Sequence, residues 1–204
     1  AFFCLSLFSY PRSRIYSPAL LLFFIGYLFS STDKQKDSKW VIKTELNTVL
    51  LFISIVALAI SFIRVKSDMA YKEMLIYKVK GNFPGLIIAS EKVNETFSPV
   101  DIATTSAQWY LGMANFYSGN LKQALEHYQA AAVITPNHLR TLNDLATCYE
   151  QNGLPDSALL YYSRALLIAP AFNEARLNRV ATYFNRGQLN DALKDIQQIN
   201  VHQP

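Results

Sequence analysis

Three residue types recur every 34 positions in the second half of this chain, and no other feature restricts its fold as much. The recurring residues are Gly119, Gly153 and Gly187, then Ala124, Ala158 and Ala192, and then Pro136, Pro170 and Pro204. A glycine can end a helix in a left-handed conformation, an alanine lets two helices pack closely, and a proline ends the following helix. The spacing therefore predicts three consecutive helix-turn-helix units.

A step of this length is typical of the tetratricopeptide repeat, whose helix pairs stack into a solenoid. We predict repeats at 105–138, 139–172 and 173–204. Before them, the step from Gly81 to Gly119 is longer than the step from Gly119 to Gly153, which breaks the regular spacing. Residues 66–104 are therefore predicted to hold a degenerate helical pair and a linker.

The long apolar runs of the sequence lie mostly within the segment 1–65. Residues 1–10 look like the end of a spanning helix, and the runs at about 15–31 and 48–63 approach the roughly 20 residues that a membrane helix needs. We therefore predict a membrane part at 1–65, with the lipid bilayer as a partner. The expected fold class is all-α, with transmembrane helices followed by a tetratricopeptide-repeat α-solenoid.

The concave side of such a solenoid is lined by the first helix of each pair, and it is the expected binding surface. The candidate residues for binding a protein or a peptide are Trp109, Met113, Phe116, Tyr117, Arg140, Asn143, Thr147, Glu150, Gln151, Glu174, Phe184 and Asn185. Buried aromatic anchors often supply most of the binding energy of an interface. Two alternatives stay open: Trp109 packs against the preceding helical pair, and Arg140 and Asn143 are surface residues without a specific role.

The third unit differs from the first two at one position, where Arg179 replaces Leu111 and Leu145. An outermost repeat has no following neighbour to cover it. We therefore expect a more polar face there.

No set of residues typical of catalysis or of metal binding stands out in the sequence. His127, His138 and His202 lie far apart, without a carboxylate or a cysteine at metal-ligand spacing. Cys4 and Cys148 fall in different parts of the chain, which favours plain buried thiols. The net charge of +4 is small and scattered, so nucleic acid is not an expected partner. We predict no catalytic residue, no cofactor and no metal site in this stretch.

Residues 7–31, LFSYPRSRIYSPALLLFFIGYLFSS, resemble the late membrane helices of the bacterial O-antigen ligase and polymerase family. Some members, as in Bacteroidetes, end in tetratricopeptide repeats, and the stretches 109–112, 142–150 and 169–175 carry that part of the likeness. The resemblance implies the C-terminal portion of a polytopic inner-membrane glycosyltransferase, which moves a glycan from an undecaprenyl diphosphate carrier onto an acceptor. It also implies a catalytic loop upstream of Ala1, so no catalytic residue is carried over, and a lipid-linked glycan would be bound through that upstream part. Ser9, Tyr10 and Pro11 match the short motif of the family.

Two other functions compete with a glycosyltransferase. One is a membrane-anchored tetratricopeptide-repeat scaffold or assembly factor without enzyme activity, and the other is a sensor or secretion component. The sequence that precedes Ala1 would distinguish the three.

The side of the membrane can be predicted from the basic residues. The short loop at 32–47 contains Lys34, Lys36, Lys39 and Lys43, and short loops rich in lysine tend to stay in the cytoplasm. This orientation places the repeats in the periplasm, although Arg64 and Lys66 after the last apolar run favour the opposite side. We expect an inner-membrane protein with periplasmic repeats.

Overall fold

The computed structural model describes residues 39–199, without the side chains of residues 39–47 and 50. The segments predicted to span the membrane before residue 39, the Ser9–Pro11 motif and residues 200–204 lie outside the described residues. The chain divides into two compact units, Ala1–Lys66 and Ser67–Pro204. The described helices are α1 (Lys39–Val79), α2 (Phe83–Ser90), α3 (Ala107–Tyr117), α4 (Leu121–Ile134), α5 (Leu139–Gln151), α6 (Pro155–Ile168), α7 (Asn173–Asn185) and α8 (Leu189–Gln197).

In the unit Ala1–Lys66, the described residues all belong to α1, and the apolar run 48–63 lies among them. Large apolar side chains there are exposed around the helix, including Phe52 at 68% and Phe62 at 62%. In the part of the chain that the structure describes, no helix is both long enough and apolar enough to cross a membrane. The spanning role of 48–63 therefore stays a prediction.

The unit Ser67–Pro204 contains three helix pairs: α3 with α4, α5 with α6, and α7 with α8. The second helix of each of the first two pairs also packs against the first helix of the next pair. A glycine with positive φ makes the turn inside each pair, at 81° for Gly119 and 74° for Gly153, a conformation that glycine adopts without a steric penalty. The structure confirms the predicted all-α solenoid.

The small residues of the repeating pattern lie where helices touch. Ala124 and Ala158 are completely buried, and Ala192 is nearly so. Gly112 of α3 also lies at a helix contact. A Cβ atom at this position would lie 2.7 Å from Cδ1 of Tyr128 in α4. The absence of a side chain at Gly112 lets α3 and α4 approach closely enough to bury the Tyr128 ring.

The helices α1 and α2, which form the helical pair before the repeats, are joined to the repeats by a shared core and an ordered linker. Tyr71 of α1 and Leu86 of α2 belong to the same buried cluster as Trp109 and Tyr110 of α3. In the linker, Oδ1 of Asp101 accepts hydrogen bonds from the backbone N–H groups of residues 103 and 105, and its Oδ2 accepts one from the Tyr110 hydroxyl. These bonds fix the linker against α3.

We expected Arg179 to make the outer face of the third repeat more polar, and this prediction is wrong. Its guanidinium turns towards α8, where Nε and Nη2 each donate a hydrogen bond of 2.7 Å to the Asp195 carboxylate, and Nη1 donates to Ser163. The reason is electrostatic: Asp195 is only 4% exposed, and a buried carboxylate needs a cation beside it. The arginine therefore links α7 to α8 and to Ser163 of α6.

Candidate functional site

The first helices of the repeats and the last turn of α1 line a groove with a volume of about 340 Å³. Eight of the predicted binding residues lie together in it: Trp109, Met113, Phe116, Tyr117, Arg140, Asn143, Thr147 and Glu174. The other lining residues are Lys78, Tyr128, Asp144 and Asn178. The groove thus combines aromatic, polar and charged groups from successive repeats.

Trp109 forms part of the groove floor and is only 2% exposed. Its Nε1 donates a hydrogen bond of 2.8 Å to Oδ2 of Asp144, and the Lys78 ammonium lies 4.6 Å from the centre of its ring. The indole also meets Tyr110 edge to face, with 5.0 Å between the ring centres. The alternative of packing against the preceding pair therefore describes Trp109 better than an exposed anchor does, and the residue positions two charged groups.

Asp144 is a buried acid beneath the groove. Burial raises its pKa to about 6, although hydrogen bonds from Trp109 and Asn143 act in the opposite direction. Nδ2 of Asn143 lies 3.2 Å from Oδ1 of Asp144 and 3.3 Å from Oε1 of Glu174, and its Oδ1 accepts a hydrogen bond from Asn178. At 2% exposure, Asn143 belongs to this network, so the alternative of a surface residue without a role is wrong.

Two cations lie at one end of the groove. Burial lowers the pKa of Lys78, and the positive charge of Arg140 lowers it further. Within the described residues, neither side chain has a carboxylate within ion-pair distance. The carboxylates of Asp144 and Asp101 still act on Lys78 from a greater distance. Because no carboxylate is in direct contact, the two positive charges can meet an anionic group of a ligand.

The other end of the groove is apolar and aromatic. Met113 is nearly buried, Phe116 is half-buried, and Tyr117 is 65% exposed. The Tyr117 ring stacks on Phe83 of the first helical pair at 5.3 Å and meets Phe116 edge to face. This contact gives Tyr117 a fixed orientation while one side of its ring stays open to a ligand.

Four of the predicted residues do not line the groove: Glu150, Gln151, Phe184 and Asn185. Phe184 is 65% exposed and lies near the C-terminal end of α7. Four lining residues were not predicted, but Asp144 immediately follows Asn143 of the predicted lining, and Asn178 lies one repeat step after Asp144. That step could have identified both. The 34-residue step misses Lys78, but counting back from the turn glycine finds it, because Lys78 lies three residues before Gly81 as Phe116 lies three before Gly119.

A wider cavity of about 610 Å³ opens beside the loops between the helix pairs. It is lined by Thr104, Thr135, Pro136, Asn137, His138, Leu139, Arg140, Phe172 and Glu174. Because Arg140 and Glu174 also line the groove, a ligand there could extend towards these loops. Among the described residues, no cluster of three or more histidine, cysteine or acidic side chains is placed to hold a metal ion.

The sequence profile of the tetratricopeptide repeat family matches residues 101–171. This stretch is therefore similar to tetratricopeptide repeats. The match extends through the first two repeats, whose first helices carry most of the groove. No protein of curated function matches the sequence.

Solved structures show the same fold. A crystal structure of MamA is 20% identical and has a TM-score of 0.57, and the match covers 81% of this chain and 94% of that chain. A tetratricopeptide repeat protein from Parabacteroides merdae is also 20% identical with a TM-score of 0.57, over 66% of this chain and 52% of that one. A double mutant of MamA RS-1 is 14% identical, with a TM-score of 0.55, over 63% and 70% of the two chains. At these identities the likeness shows the fold alone.

Proposed function

We propose that this chain is a membrane-anchored tetratricopeptide-repeat scaffold whose groove binds an extended segment of a partner protein. The observation that supports it best is the groove itself, which continues across successive repeats and has free cations at one end and aromatic side chains at the other. Stacked helix pairs use such concave surfaces to bind partners. Because hydrogen bonds already hold the polar side chains beneath the groove, less conformational entropy is lost when a ligand binds.

The groove chemistry defines the partner segment. An acidic side chain or a terminal carboxylate would bind between Lys78 and Arg140, where it would form charge-assisted hydrogen bonds. An apolar side chain a few residues away would pack against Met113, Phe116 and Tyr117. The partner is therefore a peptide segment with an acidic group near an apolar or aromatic residue.

The alternative function is the tail of an O-antigen ligase or polymerase. That interpretation depends on residues 7–31, which lie outside the described residues. The repeat profile and the similar structures described above give no support to a glycan ligase. We therefore prefer the scaffold, and a lipid-linked glycan as a partner depends on the sequence resemblance alone.

Membrane anchoring is a separate part of the proposal. It is supported by the apolar run 48–63 and by the exposure of its large side chains on α1, and the four lysines of 32–47 favour periplasmic repeats. Two fusions after Pro204 test on which side of the membrane the repeats lie. One is to alkaline phosphatase, and the other is to a fluorescent protein that matures only in the cytoplasm. Phosphatase activity without fluorescence is expected, whereas the reverse would place the repeats in the cytoplasm.

Peptide binding can be tested with a library of short fluorescent peptides that combine Asp or Glu with Leu or Phe. We expect peptides containing both kinds of residue to bind, and the double variant Lys78→Ala/Arg140→Ala to weaken their binding by at least about tenfold. Arg164→Ala, which removes a charge from α6 outside the groove, is the matched control and should not change binding. Equal binding of acidic and basic peptides, or an equal loss in the control, would contradict the proposed groove chemistry.

A further inference from the structure

The charged side chains that line the groove cancel one another when all of them are ionised. Lys78 and Arg140 supply two positive charges, and Asp144 and Glu174 supply two negative ones. A surface whose charges sum to zero attracts an acidic segment less than a surface with one positive charge in excess. The loss of either negative charge would therefore favour the binding of an acidic segment.

Of the two acids, Asp144 is the one that other side chains hold in place beneath the groove. Trp109 donates a hydrogen bond of 2.8 Å from Nε1 to its Oδ2, and Nδ2 of Asn143 lies 3.2 Å from its Oδ1. Glu174 is exposed. Burial is the main reason why the pKa of Asp144 rises to about 6, and the negative charge of Glu174 adds to this effect. Asp144 therefore gains its proton at a mildly acidic pH.

The helices around Asp144, its own included, bring charged or titratable side chains close to it. These side chains are Lys78 of α1, Tyr128 of α4, Arg140 of α5, Tyr162 of α6 and Glu174 of α7. Burial raises the pKa of both tyrosines above its usual value, so neither of them changes its charge near neutral pH. The charge of Asp144 acts mainly on the two cations, which it attracts, and on Glu174, which it repels.

We propose that the groove binds its acidic partner segment together with one proton, which Asp144 takes up from the solvent. This inference rests on the proposed function, because it assigns the regulation of the same groove. The ionised carboxylate of Asp144 repels an acidic group placed between Lys78 and Arg140, and the proton removes this repulsion. The affinity therefore rises as the pH falls through about 6, and the bound segment in turn raises the pKa of Asp144.

His138, at the start of α5, is a second group near the cations that can gain a proton. Its Nδ1 accepts a hydrogen bond from the backbone N–H of Thr141 and thereby caps the helix. Burial lowers the pKa of His138, and the positive charge of Arg140 lowers it further. Because asparagine is also a good helix cap, His138→Asn removes this titration and keeps the start of α5.

Peptide binding to the full chain, measured between pH 5 and pH 8, tests the uptake of the proton. The probe is a fluorescent peptide that joins cysteic acid to Leu and Phe, because its sulfonate stays ionised over this range. We expect the wild type to bind it about fivefold more tightly at pH 5 than at pH 8, and Asp144→Asn to bind with the tighter affinity at both. His138→Asn should keep the dependence on pH. Glu174→Gln, whose amide oxygen can still accept from Asn143, should bind more tightly at both pH values and also keep it.

A second measurement follows the proton in the wild-type groove. Trp109 donates its indole N–H to Asp144, so the NMR signal of this group in protein labelled with ¹⁵N-tryptophan reports the charge of the carboxylate. Trp40 is the other tryptophan of the sequence, and Trp40→Phe assigns the signal. We expect a titration midpoint near pH 6 without peptide and a midpoint at higher pH with the peptide bound.

The possible results separate proton uptake from the peptide binding on which it depends. Three results would overturn proton uptake and leave peptide binding in place. They are an affinity that does not change with pH, a dependence on pH that is lost in His138→Asn but kept in Asp144→Asn, and an indole midpoint that the peptide does not move. If no acidic peptide bound at any pH, the proposed groove chemistry would be wrong, and proton uptake with it.

Discussion

Gly112 sets the distance between the helices of the first repeat. Replacing it with alanine favours an isolated helix by about 1 kcal/mol. However, the new Cβ would lie 2.7 Å from the Tyr128 ring, which is buried and has little room to move. Because overpacking costs about 1–3 kcal/mol, we expect Gly112→Ala to lower the free energy of unfolding by up to about 2 kcal/mol, measured by urea denaturation.

A double-mutant cycle separates the gain in helix propensity from the cost of overpacking. In a Tyr128→Leu background the ring is absent, so Gly112→Ala should become neutral or stabilising. If alanine destabilised both backgrounds equally, the contact between Gly112 and Tyr128 would not be the cause.

Asp144 should make the stability of the repeats depend on pH. Its pKa rises from the usual 3.8 to about 6 on folding, so the folded state binds the proton more tightly. The resulting stabilisation is complete below about pH 4 and is lost as the pH rises through 6. Relative to Asp144→Asn, the wild type should therefore lose on the order of 3 kcal/mol between pH 4 and pH 7, measured by denaturation at several pH values. A pH-independent difference would contradict this.

At the scale of the helices, the last pair depends on a buried ion pair. Asp195 accepts two hydrogen bonds from Arg179 and lies 3.5 Å from Arg176, so Asp195→Ala would leave two buried cations without their carboxylate. We expect a loss of about 3–5 kcal/mol in the stability of this pair, seen as an early loss of helical signal in urea.

The matched control removes an exposed ion pair of the same chemistry. Arg186→Ala breaks the contact with Asp156, whose side chain is 86% exposed, and should have a much smaller effect. Similar losses in both variants would mean that burial does not determine the strength of the Asp195 interaction.

Periodicity explains how much of the fold and site could be predicted. It reveals contacts that every repeat makes, so the alanines, the glycine turns and two thirds of the groove residues were accessible from the sequence. It gives no signal for contacts made once, such as Lys78 above Trp109 or Arg179 with Asp195. The prediction of a polar outer face on the third repeat was wrong for the same reason. It was based on Arg179 alone, and a residue that occurs once does not show which way its side chain turns.

At the scale of the whole repeat unit, the described residues of α8 should be less stable than those of α5. The α5 helix packs extensively against helices on both sides, whereas within the described residues the extensive contacts of α8 are those with α7. In stacked repeats, stability is approximately the sum of contributions from each pair and its neighbours. In hydrogen exchange followed by mass spectrometry, amides of 189–197 should therefore exchange faster than those of 141–148. Equal rates would show that the repeats open as a single cooperative unit.

The turns inside the helix pairs also bear on how a gene for such a chain can change. From Gly81 to Gly187, the described turns use a glycine with φ between 66° and 81°. A duplication or a deletion that begins and ends at two of these glycines joins chemically identical junctions. Recombination can therefore lengthen or shorten the binding surface by whole helix pairs, and selection then needs to adjust only the side chains of the groove.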